Sequence, residues 1–413
     1  MAIIRPFKGC RPLPNFAAEV AAKPYDVLSS IEARLEAADH PLSFLHVGKP
    51  EIDLDLSIDP YDVRVYEKAR SNLRKYIENN IFLTDPEPYL YIYSQTMGSH
   101  TQYGIVGCVS IQDYLNNVIK KHELTRKDKE DDRTNHVRYT QAHTGPVFLT
   151  YLSNTKINKI VENVITSPQV YDFVAQDGIR HQFWVIRERA IISEITSIFK
   201  DIPNLYIADG HHRSASALRV GIELAEQNPN HTGEEEYNFF LAVLFPHNQL
   251  KILDYNRVVK TLNNYTPEEF VAKVKMYFEI TETFQQAKPT HKGEFGMFVD
   301  KKWYFLKLKP EIQLSNDPIE KLDVSILQNY ILKPILGIND PRTDKNIDFI
   351  GGIRGLNELQ KRVDQGEMTV AFALYPTSIE ELISIADAGK IMPPKSTWFE
   401  PKLRDGLIIH FLS

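Results

Sequence analysis

"LYIADGHHRSASA", residues 205–217, is the stretch that decides the fold. An apolar run ends at Asp209 and Gly210, and small residues that suit a helix follow the histidines and the arginine. This is the pattern of a strand that turns directly into a helix. The first backbone N–H groups of a helix have no partner within it, and together with the helix dipole they attract anions. The stretch therefore predicts a turn that binds an anion such as phosphate.

The side chains of this turn offer different chemistry. Gly210 permits a tight turn and the close approach of a phosphate. Arg213 can bind that phosphate through two parallel hydrogen bonds, and His211 or His212 can donate to it. Asp209 repels an anion, so it suits a Mg²⁺ ion or the acceptance of a proton from a hydroxyl substrate.

Two other interpretations of the turn stay open. One is an Asx-type cap of the helix with histidines on the surface. The other is a zinc site, which needs three or four ligands in a fixed geometry. Adjacent histidines rarely both bind one ion, and no H-E-x-x-H motif accompanies them, so the residues favour phosphate over zinc.

Composition excludes several classes of protein. The chain has 413 residues, which predicts two or three domains, and its 43% hydrophobic and 25% charged residues are ordinary for a globular protein. A net charge of −6 gives no overall attraction to nucleic acid or to an anionic membrane. The two cysteines, Cys10 and Cys108, suit a reducing compartment, where we expect inert buried thiols.

The chain also shows no membrane or export signal. Its first residues lack the apolar core of a signal peptide, and its longest apolar run, at 239–245, is far shorter than the roughly 20 residues that span a bilayer. We therefore expect a cytoplasmic protein without a membrane partner. The oligomeric state stays open, and an oligomer is compatible with the sequence.

Strand and helix patterns alternate through the middle of the chain, where "GPVFLTYL", "INKIVENVIT", "QFWVIR" and "ERAIISEITSIFK" precede the turn. This alternation indicates an α/β or α+β fold. Near the N-terminus, "SFLHVGKPEIDL" predicts a strand followed by an acidic loop. We expect three regions: an N-terminal α/β region over 1–145 that contributes site loops, a core with the turn over 146–262, and a C-terminal α+β region over 263–413.

Acidic residues outside the turn are further candidates for catalysis. Asp26 follows a proline in "KPYDVLS", and Glu51 and Asp53 lie in the predicted acidic loop. Asp26 or Glu51 could accept the proton of a substrate hydroxyl, and Asp53 could contact the substrate. For each of the three, an exposed position in a turn or loop is the ordinary alternative.

Basic residues outside the turn are candidates for binding. The loop "PPKSTWFEPK" presents Lys395, Ser396 and Thr397, which suit a phosphate or a carboxylate, although it lacks the glycines of a Walker motif. Arg11 is a weaker candidate for a substrate contact. The charged segment 120–140 predicts a solvated helix with i,i+4 ion pairs, unless arginines such as Arg126 and Arg133 face a site.

The chain resembles a large prokaryotic family of uncharacterised proteins with an A-D-G-H-H-R signature. Ordered blocks carry the resemblance over nearly the whole chain: "FKGCRPLP", "AAEVAAKPYDVLS", "SFLHVGKPEIDL", "IVGCVSIQDY", "HELTRKDKEDDR", "GPVFLTY", "LDVSILQNYILKPILGI" and "IMPPKSTWFEPKLRDGLII". That family looks related to the ParB/sulfiredoxin-like fold. The resemblance implies such a core, enlarged by helices and by C-terminal α+β elements.

The D-G-x-H-R motif resembles the phosphate-binding element of free L-serine kinases and sulfiredoxins. By this resemblance, Gly210, His212 and Arg213 would hold nucleotide phosphates. Sulfiredoxins place their reactive cysteine where this chain has His211, which argues against sulfinic-acid reduction. The serine-kinase-like relatives keep an aspartate before the glycine, matched here by Asp209.

The resemblance implies a phosphotransferase that uses Mg²⁺ with ATP or ADP. Its partners would be a nucleotide and a small hydroxyl metabolite, first of all free L-serine, and Asp209 would be the metal ligand. One alternative is a ParB-like nucleotide-binding regulator that contacts DNA, against which the negative charge argues. The other is a metal-dependent hydrolase that uses His211 and His212.

Overall fold

The computed structural model describes residues 2–413 and divides into two compact units. Unit 1 takes in the chain up to Leu250 together with Pro401–Ser413, and unit 2 is Lys251–Glu400. Each unit is described by itself. The predicted division into 1–145, 146–262 and 263–413 is not tested by this grouping and stays a prediction.

The described residues form 21 strands. In chain order they are β1 Ile4–Arg5, β2 Cys10–Pro12, β3 Phe82–Thr84, β4 Leu90–Met97, β5 His100–Ser110, β6 Ile119–Lys120, β7 Ala142–His143, β8 Val147–Tyr151, β9 Tyr171–Val174, β10 Arg180–Ile186, β11 Leu205–Asp209, β12 Phe239–Pro246, β13 Lys251–Leu253, β14 Tyr255–Val259, β15 Phe278–Thr283, β16 Glu294–Val299, β17 Lys302–Leu308, β18 Ile347–Gly351, β19 Val370–Leu374, β20 Trp398–Glu400 and β21 His410–Phe411.

The α-helices of residues 2–413 number 13. They are α1 Ala17–Val20, α2 Ser30–Ala37, α3 Leu45–Gly48, α4 Val63–Glu78, α5 Ile111–Leu115, α6 Lys127–Thr140, α7 Thr155–Val164, α8 Arg189–Lys200, α9 His211–Gln227, α10 Pro267–Val274, α11 Asp323–Leu327, α12 Gly355–Asp364 and α13 Ile379–Asp387. None of the helices within the described chain combines the length and the apolar character that crossing a bilayer requires.

A nine-stranded mixed sheet organises unit 1. Its order is β6-β11-β8-β12-β5-β4-β10-β9, and β1 pairs with β5. The pairs β6–β11 and β8–β12 are parallel, and the other pairs are antiparallel. The predicted α/β class is thus confirmed. Every residue of β8 and β12 is buried, which is why both read as continuous apolar runs in the sequence.

Local sequence signals place several of the helices. Ser29 caps α2 by accepting the backbone N–H of Glu32, whose side chain in turn accepts the Ser29 N–H. Asp62 caps α4, and Asn154 caps α7. Both cysteines are buried and form no disulfide, as expected for inert thiols.

The predicted strand and acidic loop in "SFLHVGKPEIDL" are wrong. Residues Leu45–Gly48 are helical, and Pro50–Asp53 forms a short 3₁₀-helix with Pro50 at its start. Proline suits a first helical position because its φ is preset and its missing N–H would have no partner there. Glu51 and Asp53 therefore lie on a 3₁₀-turn, not in a loop after a strand.

Unit 2 contains a six-stranded sheet in the order β15-β17-β16-β19-β14-β18, and β13 pairs with β20. Helix α10 and the strands β16 and β17 belong to this unit. Gly296 in β16 lies against the Ala287 carbonyl, where an added Cβ would come within 1.9 Å of the oxygen. Only glycine fits there.

The buried carboxyl of Asp323, the first residue of α11, makes unit 2 sensitive to pH. Its two oxygens accept the Gly293 N–H at 3.0 and 3.2 Å, and burial raises its pKa from 3.8 to about 7. As pH rises from about 4 to about 7, the unfolded chain loses a proton that the folded chain keeps, so stability falls.

We expect Asp323→Asn to remove this fall in stability. The free energy of unfolding of wild type, relative to the variant, should drop between about pH 4 and about pH 8 by at most roughly 4 kcal/mol. Urea denaturation at both pH values measures it. The control is Asp340, where the hydrogen bond and charge of Arg342 lower the pKa of the carboxyl, so Asp340→Asn should change the pH dependence of the free energy of unfolding with the opposite sign. Parallel curves for wild type and Asp323→Asn would contradict the expectation.

Candidate functional site

The predicted strand-to-helix turn is confirmed. Strand β11 ends at Asp209, Gly210 adopts φ +99°, and α9 begins at His211. A residue with a side chain would be strained at this φ, and its Cβ would lie 3.4 Å from Val147. The first helical hydrogen bond runs from the Ser214 N–H to the Gly210 carbonyl. The N-terminus of a 17-residue helix thus begins at the turn.

Asp209 lies in the turn as an ionised carboxylate. Its Oδ2 is 2.8 Å from the Lys402 Nζ, and its Oδ1 accepts the Gly210 N–H at 2.9 Å. Burial would raise its pKa, but the positive charges of Lys402 and Arg213 outweigh burial and hold the pKa well below the usual range. The C-terminal segment, through Lys402, therefore neutralises the one carboxylate of the turn.

The guanidinium of Arg213 is buried among acidic groups. It donates to the Pro146 carbonyl at 2.5 Å and lies 3.8 Å from Asp26 Oδ1 and 4.0 Å from Asp405 Oδ1. Burial lowers the pKa of an arginine, yet Asp405 and Asp26 raise it further, so Arg213 stays charged. The structure thus brings two predicted residues, Asp26 and Arg213, together.

A cavity of about 30 Å³ opens beside Arg213, with room for roughly two water molecules. A second buried guanidinium, that of Arg133, lines it from α6. Arg133 is bound to Asp132 at 2.8 Å and lies 4.0 Å from the centre of the Tyr25 ring. The residues around the cavity are Tyr25, Gly48, Arg133, His136, Val137, His143, Thr144, Gly145, Arg213, Ser216 and Asp405.

Two buried polar atoms that line this cavity have no hydrogen-bond partner among the described residues, namely Asp405 Oδ1 and His143 Nε2. Burial raises the pKa of Asp405 to about 6, although Arg213 lowers it. His143 Nδ1 contacts His410 Nδ1 at 3.1 Å. A buried polar atom without a partner is costly, so these two atoms indicate that the cavity takes a polar ligand or water.

Glu51 and Asp53 lie near each other on the 3₁₀-turn with different partners. Glu51 contacts Lys49 at 2.9 Å and accepts the Ser30 hydroxyl at 2.8 Å, and its charge acts on Arg133 at the cavity. Asp53 accepts hydrogen bonds from His46 and Asn72 at 2.7 Å each. These bonds outweigh burial and lower the pKa of Asp53.

Arg11 is held in a buried ion pair. Its guanidinium donates twice to Asp85, at 2.8 Å each, and once to the Tyr171 hydroxyl at 3.4 Å. These bonds favour a structural role, and its substrate contact stays a prediction.

The loop residues Lys395, Ser396 and Thr397 belong to unit 2. There the Ser396 hydroxyl donates to the Pro393 carbonyl at 2.6 Å, and Lys395 lies 5.7 Å from the centre of the Tyr255 ring. Their contact with a phosphate or a carboxylate stays a prediction.

The two adjacent histidines have separate surroundings. His212 is half-buried, and its Nε2 accepts the Arg126 N–H at 3.0 Å, which joins the start of α6 to the start of α9. His211 is buried, and its ring packs edge-on against His122 with the ring centres 4.6 Å apart. Burial lowers the pKa of His211 well below 6.5.

The charged segment 120–140 contains both a solvated arginine and an arginine that faces a site, which are the two alternatives that the sequence left open. Arg126 is exposed and pairs with Asp128, whereas Arg133 faces the cavity. Sequence reasoning did not single out Tyr25, Lys402 or Asp405. The only signal for the last two was "PKLRDG", a charged segment directly before a buried apolar run at the C-terminus.

Comparison with known proteins gives one family and several distant structures. A family model described as "Protein of unknown function (DUF1015)" matches residues 4–325. No curated protein matches the chain.

Among solved structures, a free serine kinase in complex with AMP is 14% identical, with a TM-score of 0.38, over 73% of this chain and 91% of that one. A conserved hypothetical protein from Pyrococcus furiosus is 15% identical, with a TM-score of 0.35, over 73% and 93%. SbnI with a C-terminal truncation, from Staphylococcus aureus, is 11% identical, with a TM-score of 0.37, over 73% and 85%. At these TM-scores no residue role transfers to this chain.

Proposed function

Since the chain belongs to the DUF1015 family of proteins of unknown function, its activity has to be derived from its own site, and we propose that it is a small-molecule phosphotransferase. The donor is ATP or ADP with Mg²⁺, and the acceptor is a small hydroxyl metabolite, first of all free L-serine. The reaction takes place in the cytoplasm at the cavity beside the turn, and because the volume of this cavity is only about 30 Å³, the binding of donor and acceptor must widen it.

The pair of buried guanidiniums at one cavity is the observation that carries this proposal. Arg133 and Arg213 both line it, and two of its polar atoms have no partner. Transfer of a phosphoryl group requires positive charge and positioning more than covalent help from the protein. Two guanidiniums next to a helix N-terminus supply that charge in a site shielded from water.

Two acidic groups favour an amino-acid acceptor, namely Asp405, which lines the cavity, and Asp26, which lies beside Arg213. Free serine carries a carboxylate, an ammonium and a hydroxyl. An arginine of the cavity can bind the carboxylate, while Asp405 Oδ1 and Asp26 offer oxygens to the ammonium. Glu51, whose charge reaches Arg133, is the base that we assign to the serine hydroxyl, with Asp26 as the alternative.

Asp209 is the residue that we assign to Mg²⁺. Its carboxylate is ionised, which suits a hard cation, but both of its oxygens already accept hydrogen bonds. Mg²⁺ in nucleotide sites keeps several waters and binds one or two carboxylates together with phosphate oxygens. The ion would therefore be held mainly by the nucleotide, and it would neutralise the charge of the transferred phosphoryl group. Gly210, His212 and Arg213 would hold the phosphates.

The direct test incubates the protein with Mg²⁺, L-serine and ATP or ADP, and follows ³¹P NMR. The expected product is O-phosphoserine together with ADP from ATP or AMP from ADP. Nucleotide alone should raise the melting temperature. No product with either donor, together with no stabilisation by either nucleotide, would overturn the proposal. A product with another hydroxyl acceptor but not with serine would retain the phosphotransferase and exclude serine.

Glu51→Gln should lower kcat by roughly 10²–10⁴-fold, because an amide cannot accept the hydroxyl proton. The nucleotide-induced rise in melting temperature should stay unchanged, since Glu51 contacts Lys49 and Ser30 rather than the turn. The matched control is Glu36→Gln, which removes a carboxylate paired with Lys23 at 2.7 Å and should leave kcat intact. An equal loss in both variants would exclude Glu51 as the base.

A further inference from the structure

Two buried histidines and a glutamate meet at the base of the turn, on the side of His211. His122 and Glu123 follow strand β6, and His211 begins α9. One ligand atom of each residue can be chosen so that all three lie within 4.8 Å of one another. His122 is 2% exposed, His211 is 7% exposed, and Glu123 is half-buried.

The imidazoles have unused nitrogen atoms. His122 Nδ1 and both ring nitrogens of His211 are buried without a hydrogen-bond partner among the described residues. The two rings lie edge to face without a hydrogen bond between them among the described residues. A neutral imidazole in a protein interior normally uses both nitrogens, and three such unused atoms in one cluster require an explanation.

We propose that His122, Glu123 and His211 bind a divalent transition-metal ion of the Zn²⁺ type. Two imidazoles and one carboxylate are a recurrent ligand set for this ion, and three protein ligands leave a position for water. Bonds of about 2.0–2.1 Å place ligand atoms about 3.3 Å apart in a tetrahedral site. The three ligand atoms lie within 4.8 Å of one another, so metal binding requires them to approach by up to about 1.5 Å.

The surroundings of His122 resemble those of a metal ligand. The Ile207 backbone lies close enough to the His122 imidazole to act on it, and His122 Nδ1 has no hydrogen-bond partner among the described residues. A bond from one ring nitrogen to a backbone carbonyl directs the lone pair of the other nitrogen toward the ion and is the usual second contact of a metal-bound histidine. Ile207 lies in β11, so the strand of the turn itself orients this ligand.

This site differs from the one assigned to Mg²⁺ and does not depend on the proposed activity. It uses His211 but not His212, whose Nε2 accepts the Arg126 N–H. The ion would join the segment after β6 to the first residue of α9. It would thereby hold Gly210 and the helix start in place.

The test measures metal content without nucleotide or serine. The full-length protein, purified without a histidine tag, is stripped with a chelator and dialysed against Zn²⁺, Co²⁺ or Mn²⁺ separately. Elemental analysis counts bound metal, and visible absorption of the Co²⁺ form reports its coordination. We expect one Zn²⁺ per chain in wild type, and affinity weakened by roughly 100-fold or more in Glu123→Gln and His211→Gln.

The control variant is His231→Gln, which removes an exposed histidine outside the cluster and should keep one Zn²⁺. His211→Gln could fail to fold because the residue is buried. Glu123→Gln, at a half-buried position, keeps the test decisive, and circular dichroism monitors folding. Wild type that retains no metal, or variants that retain as much as wild type, would overturn the proposal. Because neither outcome involves phosphoserine, this proposal and the phosphotransferase can fail separately.

Discussion

Arg213→Ala should abolish measurable nucleotide binding and lower the free energy of unfolding by about 3–5 kcal/mol. The guanidinium is a buried positive charge in the first turn of α9, so its loss removes the group that we assign to the donor phosphates. It also leaves Asp405 and Asp26, at 4.0 and 3.8 Å, without their cation. Urea denaturation measures stability, and calorimetric titration with ADP measures binding.

Three companion variants separate binding from folding. Arg219→Ala changes a half-buried arginine of the same helix that pairs with Glu130 and Asp131, and it should cost about 1 kcal/mol without affecting nucleotide binding. The double variant Arg213→Ala/Asp405→Asn should regain part of the stability but not the binding. Arg213→Lys keeps the positive charge but loses the two parallel N–H donors of the guanidinium, so this variant should bind ADP weakly. Unchanged ADP affinity in a folded Arg213→Ala protein would exclude the phosphate role.

Asp85→Ala should destabilise unit 1 by about 3–5 kcal/mol without a direct effect on the cavity. Asp85 is 3% exposed and accepts two hydrogen bonds from Arg11 and one from the Tyr91 hydroxyl. Its removal leaves the Arg11 charge buried and unpaired. The melting temperature and urea denaturation of the full chain check the expectation.

An exposed pair of the same geometry is the control. Arg180 donates twice to Asp172, at 2.6 and 2.7 Å, and Asp172→Ala should cost no more than about 1 kcal/mol because solvent screens the charges. The comparison also decides the role of Arg11. A structural Arg11 predicts that Arg11→Lys lowers stability and leaves KM for the acceptor unchanged. A raised KM in a protein of normal stability would instead support the substrate contact.

Much of the local structure could be predicted from short-range signals. The apolar run before Asp209, the glycine and the small residues after Arg213 predict the turn correctly, because chain geometry and helix-end chemistry act over a few residues. The Ser29 cap is similarly local. "SFLHVGKPEIDL" was predicted incorrectly, because its few apolar residues fit a strand and a helix about equally well and only Pro50 marks the helical start.

Only some of the residues that form the candidate site could be predicted from the sequence. Arg133 belongs to a segment dense in charges of both signs, and nothing in its immediate sequence distinguishes a residue that faces a cavity from one that faces solvent. Asp405 and Lys402 are nearly 200 residues from the turn in sequence, so no local periodicity connects them with it. The contact of His211 with His122 rather than with His212 likewise depends on the packing of two segments that are far apart in the sequence.

The sequence by itself determined the α/β class, the family and a strand-to-helix turn with chemistry suited to an anion, because these depend on residue type and on spacing of a few positions. The tertiary structure alone decided which charges face each other. It placed Arg133 and Asp405 at the cavity with Arg213, gave Asp209 its Lys402 partner, and set His211 against His122. Electrostatic energy depends on distance in space and on burial, and both arise only when distant segments pack together.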